Sequence, residues 1–599
     1  TATDMLAQQI ITKPIFERLF AKDGFAMQNS VSQTIDGMLQ EIDAKKGLED
    51  INEELNGFYR SVENTLDQID TAEGKQKVIT ALYEKFFKNA FPKDQSINGV
   101  VYTPQEIVDF IIHSAAEALN EEFGIDINDE NVNILDPFTG TGTFIARLME
   151  TGIITKDNLE RKYRSELFAN EITLLAYYIA TVNIENTFIR MSGKEEYIPF
   201  DNILLTDTFN IEHICEQKTE QTSLDERETF KKNKGRIRRE NDTPITIIMG
   251  NPPYGATQKS ANDDAKKRRY RQGIDLEIEK KYLDDSLFSD KKGNVNSVYD
   301  NYIRAFRWAT DRIGNNDGII AFVTPNGWLS GSAFEGFRKC IEGEFSKIYV
   351  FNLRGNKGTT DEMRRIEGRN VFEYSSDRGG CTTGIAITLL VKSKGDSGKA
   401  VINYKDIASL GDRLKGFEKR DLIKQSVSFE SLSKSHSMET LDPKPNGDWI
   451  IERNDAFQKL VPLAGDTHKK FSKYCEKTIF AGYTRGVATS RDPWAYNYSK
   501  EQVVKTKERF VDGYNQQLES DVVDYTDYTV KWTTPVKSAF TKKVKMKLDA
   551  DTITQSNYRP FVKQWFDCDY SLNEAPYQNP KLFPTSNTDN MLICVAGVG

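Results

Sequence analysis

The chain has 599 residues and a formal net charge of −9, with 38% hydrophobic, 11% aromatic and 28% charged residues. This apolar content is enough for several buried cores and excludes a disordered or fibrous chain. The mean hydropathy is −0.56. The longest nearly apolar stretch, about Ile385 to Val391, is far shorter than the roughly 20 residues of a membrane span. The length predicts about three domains.

Cysteine and histidine usage points to a reduced environment. The six cysteines are scattered without a CxxC pair, and there are only four histidines. We therefore predict a cytoplasmic protein without a zinc site. The chain starts at Thr1 and closes on the apolar run Met591 to Val595. We expect it to be a fragment of a longer protein, truncated at its C-terminus.

Residues 1–98 are predicted to form a helical leader or coupler. Apolar residues such as Ile35, Met38, Leu39 and Ile42 recur at three- to four-residue spacing, which is typical of amphipathic helices. The interpretation from this pattern alone is a plain helical bundle.

Residues 99–400 are predicted to form an α/β domain, because short apolar strands alternate with helical patterns. Two polar insertions, 210–243 and 255–297, interrupt the alternation and show no clear period. The predicted strands are 133–135, 167–169, 203–205, 245–249, 318–323, 348–351 and 385–391.

Residues 401–599 mix aromatic residues, threonine and lysine with turn residues, which predicts an α+β domain. They carry 29 Lys and Arg against 26 Asp and Glu, whereas the rest of the chain carries 51 against 63. The acidic overall charge argues weakly against nucleic acid as a partner. This local balance still permits a DNA-binding module in the last third.

The most specific short motif is Asn251-Pro252-Pro253-Tyr254, which follows a predicted strand. An aromatic amino group is a poor nucleophile because its lone pair is delocalised. The Asn251 side-chain oxygen and the Pro252 carbonyl are acceptors that would localise that lone pair by taking both N–H bonds. Pro253 stiffens the loop, and Tyr254 offers a ring on which a base could stack. The alternative is a rigid turn at a strand end.

A second motif, DPFTGTGTF at 136–144, lies between a predicted strand and a helix over about 144–149. Gly140 and Gly142 allow a ligand close to the backbone. No lysine stands where a phosphate-binding loop requires one, so a nucleoside fits better than a pyrophosphate. The alternative is a tight turn that binds nothing.

Two acidic residues follow the next strands. Glu171 could accept from both hydroxyls of a ribose, and Asp207 could accept from the amino group of an adenine. Each alone could equally be a cap or turn residue. Because strand ends meet at one edge of a parallel sheet, the two together would ring one nucleoside.

In their order along the chain, these motifs resemble those of gamma-class amino-methyltransferases. The resemblance implies a Rossmann-like S-adenosylmethionine-dependent domain that methylates N6 of adenine in DNA and needs no metal for methyl transfer. It implies that Asn251, Pro252, Pro253 and Tyr254 hold the flipped-out base and are catalytic. It also implies cofactor-binding roles for Tyr102, Thr103, Pro104, Asp136, Phe138, Gly140, Gly142, Glu171 and Asp207.

A narrower resemblance is to Type ISP restriction-modification enzymes, single chains with nuclease, ATPase, coupler, methyltransferase and recognition domains in series. It rests on GVVYTP (99–104), VTPNGWLSG (323–331) and TRGVATSRDPWAYNYS (484–499). The sequence contains no Walker A motif. The resemblance therefore implies nuclease and ATPase domains N-terminal to this chain.

The resemblance also places target recognition in residues 401–599. A second aromatic, before this region, would stack on the flipped base, with Phe372 as the first candidate and Tyr374 as its alternative.

We expect double-stranded DNA to be contacted by basic and aromatic residues of 401–599: Tyr483, Arg485, Arg491, Trp494, Lys542, Lys543, Lys545 and Lys547.

The function predicted from sequence is sequence-specific DNA adenine methylation, as the modification and recognition part of a restriction-modification enzyme. No Pro-Cys dipeptide occurs, so the covalent cysteine route of cytosine-C5 methylation is not expected. One alternative is an amino-methyltransferase acting on RNA or protein glutamine. Another is a non-catalytic DNA-specificity scaffold with an inactive cofactor fold.

Overall fold

The structure, a computed structural model, describes residues 103–594 with internal gaps. The predicted helical leader, residues 1–98, lies outside the described residues. By its contacts the chain divides into two compact units, one ending at Arg453 and the other beginning at Asn454. The gaps are 195–196, 211–227, 255–272, 285, 287–295, 358–364, 374–382, 396–397, 452–459, 462, 464–477, 481–482, 521–522, 525–527, 560–561, 570–571 and 586–587.

The first unit is built on one large sheet. Its strands are β1 Ile134–Asp136, β2 Leu167–Glu171, β3 Ile203–Leu205, β4 Ile247–Gly250, β5 Gly318–Pro325, β6 Lys347–Arg354, β7 Ile385–Lys392, β8 Val401–Asp406 and β9 Glu439–Leu441. They form a nine-stranded sheet in the order β3-β2-β1-β4-β5-β7-β6-β8-β9. Strands β1 to β5 run parallel. Strand β7 is antiparallel to both β5 and β6.

Helices separate the strands along the chain. They are α1 Gln105–Phe123, α2 Thr143–Glu150, α3 Lys156–Arg161, α4 Leu174–Ser192, α5 Glu228–Asp242, α6 Ile274–Ile278, α7 Asn301–Ile313, α8 Glu335–Glu344, α9 Gly416–Ser426 and α10 Phe429–His436. Left-handed glycines end two of the longest, Gly124 after α1 and Gly193 after α4, because glycine adopts that conformation without steric cost.

The sheet is covered on both faces. Neighbouring residues of a strand point to opposite sides, so Ile134 joins a core with α1, α2 and α4, whereas Leu135 joins a core with α7 and α8. Ile247 and Ile248 of β4 divide between the two cores in the same way. Strands buried on both faces read as continuous apolar runs, which explains why the sequence revealed them.

The strand order identifies where a ligand can enter. The chain runs outward from β1 through β2 to β3, then returns to the other side of β1 with β4. Ligands of open α/β sheets bind outside the carboxyl ends of the strands at such a reversal. The loops after β1 and β4 meet at this point.

The α/β fold predicted for this region is confirmed, and its seven predicted strands correspond to β1 to β7. Two details differ. Strand β8 pairs in parallel with β6 from Val401 to Asp406, so the predicted boundary after residue 400 cuts the sheet, and the contact division falls after Arg453. The insertion 210–243 contains helix α5, which sequence analysis missed because most of its residues are Lys, Arg and Glu and show no apolar period. Two of its residues, Ile237 and Glu240, are nevertheless buried.

The second unit is smaller and mixed. Its helices are α11 Asp492–Ala495, α12 Lys500–Ser520, α13 Thr534–Thr541 and α14 Asn579–Leu582, and its strands are β10 Tyr496–Asn497, β11 Ile553–Arg559 and β12 Val562–Asp567. The strands form a three-stranded antiparallel sheet in the order β10-β12-β11. Phe510, Tyr514 and Trp532 belong to its core. Over the residues that the structure describes in both units, no helix combines the length and apolarity needed to cross a bilayer.

Candidate active site

The loop after β1 is shaped by two left-handed glycines. Gly140 has φ 56° and Gly142 has φ 84°, a region that disfavours other residues. A Cβ atom on Gly142 would lie 3.0 Å from the Cα atom of Ala180 in α4, so helix packing also requires glycine there. The Asn183 side chain donates to the Thr141 carbonyl at 2.8 Å. Helix α4 therefore contacts one side of the loop and holds it in place. The opposite side of the loop faces the edge of the sheet.

Asp136 ends β1 and is completely buried. One carboxylate oxygen accepts from the Phe138 backbone N–H at 3.1 Å, while the other, Oδ2, has no hydrogen-bond partner among the described residues. Burial raises the pKa of Asp136 to about 8, since desolvation outweighs the Phe138 hydrogen bond and nearby Glu171 adds repulsion. A buried carboxyl group with an unsatisfied oxygen is suited to a ligand that brings a positive charge, since a nearby cation favours the ionised form.

Glu171 ends β2 and holds the glycine loop directly. Its Oε2 accepts from the Gly140 backbone N–H at 2.9 Å, and its Oε1 accepts from the Thr173 backbone N–H at 2.7 Å. The side chain is only 8% exposed, and burial raises the pKa of the Glu171 carboxyl in spite of these hydrogen bonds. Two sequence motifs 31 residues apart are therefore one unit of structure.

Asp207 follows β3 and is half-buried. Its carboxylate accepts from the Phe209 backbone N–H at 3.0 Å and from the Asn210 side chain at 2.6 Å. Burial raises the pKa of Asp207, while these bonds and Arg304 oppose the shift. The neighbouring Thr208 hydroxyl donates to the Pro137 carbonyl at 2.7 Å, which ties the loop after β3 to the loop after β1.

Aromatic packing makes the same connection between these two loops. The Phe138 ring lies 5.5 Å from the Phe209 ring and 6.4 Å from the Phe322 ring of β5. Aromatic side chains from the loops after β1 and β3 and from within β5 thus form one cluster.

The Asn251–Tyr254 loop adjoins Asp136. Strands β1 and β4 are neighbours, and a Cβ atom on Gly250 would lie only 2.8 Å from Asp136 Oδ1. The Asn251 side-chain amide donates to the Thr103 hydroxyl at 3.0 Å, so the segment before α1 also reaches this loop. Tyr254 is half-buried and packs against both cores of the sheet.

Most residues predicted for the active site therefore converge. Pro104 caps the start of α1 beside Thr103, whereas Tyr102 lies outside the described residues. Phe372 is only 7% exposed and belongs to the core that contains α1 and α4. Its base-stacking role stays a prediction, and its alternative, Tyr374, lies outside the described residues.

Sequence analysis missed a second layer behind the loop. The Asn170 carbonyl accepts from the Thr139 backbone N–H at 3.0 Å, and the Asn170 side chain donates to Glu240 of α5 at 2.8 Å. Glu240 is buried, which raises its pKa to about 7. Asn170 adjoins Glu171 and could have been noticed as a polar residue inside an apolar strand. Glu240, in an insertion without a clear period, offered no such signal.

In the second unit, Arg491 does not fit its predicted role as a DNA contact. It is 2% exposed, and its guanidinium pairs with the fully buried Asp567 at 2.9 Å. Lys507 pairs with the same carboxylate at 3.0 Å. Because a buried carboxylate requires a paired cation, and Arg491 supplies one from an equally buried position, Arg491 is committed to the interior of the unit.

The other predicted contacts of this unit are more accessible. Trp494 is half-buried, with the Arg509 guanidinium 4.8 Å from its ring centroid. Tyr483 is 40% exposed. The exposed basic residues are Arg485, Lys542, Lys543, Lys545 and Lys547. Where the structure describes the chain, no group of three His, Cys, Asp or Glu is placed to hold a metal ion.

Comparison with known proteins identifies the class of these units. The Eco57I restriction-modification methylase family matches residues 120–355, which contain the loops just described. The coupler domain of Type ISP restriction-modification enzymes matches residues 1–74, and the Type ISP C-terminal specificity domain matches residues 478–599. A search of curated proteins returned no match.

Solved structures extend the likeness to almost the whole chain. The chain is 37% identical to the ATP-dependent Type ISP restriction-modification enzyme LlaBIII bound to DNA, with TM-score 0.78 over 98% of this chain and 38% of that one. It is 35% identical to a nuclease-deletion mutant of the Type ISP enzyme LlaGI with a DNA substrate mimic, with TM-score 0.77 over 98% of this chain and 46% of that one. The chain is 32% identical to DrdV in a DNA complex, with TM-score 0.77 over 97% of this chain and 55% of that one.

These matches define a restriction-modification methylase region followed by a DNA-specificity domain. In its coupler, methylase and specificity domains the chain belongs to the Type ISP restriction-modification family, as the sequence motifs predicted. The chain spans between about 38% and 55% of the length of these relatives.

Proposed function

We propose that this chain transfers a methyl group from S-adenosylmethionine to N6 of an adenine flipped out of duplex DNA. The observation that carries the proposal is the 2.8 Å approach between the Gly250 Cβ position and Asp136 Oδ1. It makes the loop that would hold the cofactor and the Asn251–Tyr254 loop direct neighbours. A one-carbon transfer requires that proximity.

The residues around Asp136 fit the cofactor. When bound, S-adenosylmethionine supplies an electrophilic methyl group on a positively charged sulfonium. Buried Asp136, with its unsatisfied Oδ2, suits the cationic end of such a ligand. The Gly140 and Gly142 backbone admits it closely. Glu171 and Asp207 would accept from its ribose hydroxyls and adenine amino group.

The Asn251–Tyr254 loop would hold the target base. The Asn251 amide donates from its nitrogen to Thr103, which orients the amide group and thereby its acceptor oxygen. An acceptor at this point would take an N–H of the target amine and favour attack by its lone pair. The Tyr254 ring would stack on the flipped base, a contact worth about 1–3 kcal/mol that offsets part of the few kcal/mol needed to unstack it.

Asn251→Ala tests the catalytic role. We expect labelled methyl transfer to duplex DNA to be lost, while DNA binding and cofactor binding, followed by calorimetry, are retained. The matched control is Asn120→Ala on the exposed surface of α1, which should transfer at the wild-type rate. An Asn251→Ala variant with wild-type activity would contradict the mechanism.

Tyr254 separates stacking from hydroxyl chemistry. Tyr254→Phe keeps the ring and should retain most activity, whereas Tyr254→Ala should lose about 5- to 150-fold in transfer rate, the equivalent of about 1–3 kcal/mol. Equal losses in both variants would argue for a role of the hydroxyl instead.

Substrate choice distinguishes the alternatives. The specificity-domain match at residues 478–599 and the DNA-bound structures of related enzymes favour double-stranded DNA over RNA or protein glutamine. Mass analysis of nucleosides after transfer should find N6-methyladenine. Finding N4-methylcytosine instead would support methyl transfer to an amino group of DNA but overturn the adenine assignment. Binding without any transfer would favour a non-catalytic scaffold.

The lengths of the related enzymes indicate further domains in the full-length protein. Since this chain spans 38% to 55% of their length and matches a coupler domain at residues 1–74, we infer that the full-length protein carries nuclease and ATPase domains before it. Joining those domains to this chain should add DNA-stimulated ATP hydrolysis, which this chain by itself should lack.

A further inference from the structure

The two faces of the three-stranded sheet in the second unit differ in exposure beyond the end where Ile553 pairs with the buried Asp567. Cross-strand partners share a face, and the registers pair Asn497 with Trp565, Gln555 with Trp565 and Asn557 with Lys563. We call these five residues the outer face. Asn497, Gln555, Asn557 and Lys563 are exposed, and Trp565 is half-buried.

The opposite face of the same sheet is less exposed. Thr554 pairs with Phe566 and Ser556 with Gln564, and the Tyr496 ring stacks on Phe566 at 4.5 Å. These five residues are buried or half-buried. The exposed amides are thus concentrated on the outer face rather than scattered over the sheet.

The outer-face side chains are available for a partner. Gln555, Asn557 and Lys563 make no side-chain hydrogen bond or ion pair with any described residue. Exposed amide and ammonium groups in a row offer both donors and acceptors. That combination matches base edges better than an apolar protein surface.

The electrostatics of the outer face favour an anionic partner. None of its five residues is acidic, and Lys500 of α12 places its ammonium 5.3 Å from the Trp565 ring centroid. The carboxylate at the inner end of this face, Asp567, is fully buried and neutralised by Arg491 and Lys507. The exposed charge here is therefore positive.

The shape fits a groove of duplex DNA. Strand β10 pairs only with Trp565 and Phe566, so β12 beyond them is bordered by β11 alone and the distal part of the sheet is a two-stranded ribbon. The major groove of B-form DNA admits such a ribbon. Asparagine and glutamine there pair with adenine edges, and lysine contacts guanine or phosphate.

We propose that the outer face is a base-reading surface of the specificity domain, inserted into the major groove of the target duplex. Gln555 and Asn557 read base edges, and Lys563 contributes a guanine or phosphate contact. The inference rests on the proposed function for its biological meaning, because it concerns the choice of the DNA that is methylated.

The test selects bound duplexes from a randomised library with the full chain and, separately, measures methyl transfer. Gln555→Ala and Asn557→Ala should each lower the preference at one base pair by about fivefold or more. If Lys563 contacts a guanine, Lys563→Ala should lower the preference for that base pair. If it contacts a phosphate, the variant should weaken binding to all sequences and lower the salt dependence by about one phosphate contact. Gln564→Ala, a glutamine on the opposite face of the same strand, is the matched control and should select the wild-type site.

The outcomes are separable. If both amide variants bind the wild-type site with wild-type preference and melt at the wild-type temperature, the outer face does not read DNA, whatever the transfer assay shows. If the selection behaves as expected but wild-type protein transfers no methyl group, the proposed function fails and the base-reading surface stands. Loss of selectivity in Gln564→Ala alone would assign reading to the opposite face and overturn the inference.

Discussion

Asp136→Asn is a perturbation whose effect on stability does not depend on any ligand. The carboxyl group has an ordinary pKa of 3.8, and burial in the folded chain raises it to about 8. Between these pH values the unfolded chain carries the charge, while the folded chain holds a proton. Folding therefore takes up one proton, and the free energy of unfolding falls as pH rises, by about 1.4 kcal/mol per pH unit.

The stability that depends on a protonated Asp136 is fully present below pH 4 and decreases as pH rises toward 8. Above pH 8 it changes little. From pH 6 to 8 the wild-type chain should lose roughly 2 kcal/mol from this group, because Asp136 is half ionised at pH 8 and the slope has already flattened there. Asp136→Asn has nearly the same shape, keeps an acceptor for the Phe138 N–H and does not titrate. The difference in unfolding free energy, variant minus wild type, should therefore rise by roughly 2 kcal/mol over that range.

Urea denaturation of both full chains at pH 6, 7 and 8 measures this difference from the midpoints at a shared slope. Asp157→Asn, at an exposed position in α3, is the control and should differ from wild type equally at all three pH values. A difference for Asp136→Asn that stays flat from pH 6 to 8, or that falls, would refute the assignment of a raised pKa to this buried carboxyl.

Three further substitutions test close contacts. Gly250→Ala would place a methyl group 2.8 Å from Asp136 Oδ1, so we expect about a 5- to 150-fold loss of methyl transfer, measured as kcat/KM, from a shift of about 1–3 kcal/mol; wild-type kinetics would show that the two loops are not in contact. Gly142→Ala combines φ 84° with a 3.0 Å approach to α4 and should lower the melting temperature of the first unit, which circular dichroism would report. Arg491→Met removes the hydrogen bond to Asp567 Oδ2 and leaves Lys507 on Oδ1, so it should destabilise the second unit by about 1–3 kcal/mol; an unchanged unfolding transition of that unit would contradict the buried ion pair.

The site illustrates how strand ends assemble chemistry from separate motifs. Asp136, Glu171 and Asp207 each follow a different strand, and their loops are joined by the hydrogen bonds Gly140 to Glu171 and Thr208 to Pro137. Loss of one such bond should therefore disturb the neighbouring loops as well. Gly250 approaches Asp136 for a separate reason, because β1 and β4 are neighbouring strands.

Much of the first unit could be predicted from the sequence alone. Buried parallel strands are continuous apolar runs, and glycine-rich or proline-rich loops follow them at fixed positions, so both the strands and the loops 136–144 and 251–254 were visible. The reason is local: residues that must be apolar, left-handed or acceptor-only leave a mark at their own position in the chain.

Other features depend on residues far apart in the chain, and only the tertiary structure decided them. Arg491 reads as an exposed basic residue, yet Asp567, 76 positions away, draws it into the interior. Glu240 supports the loop after β1 through Asn170, 70 positions away. The faces of β11 and β12 are set by their register, which pairs Asn557 with Lys563. Burial and charge compensation belong to pairs of residues, and composition at one position does not record the partner that folding brings beside it.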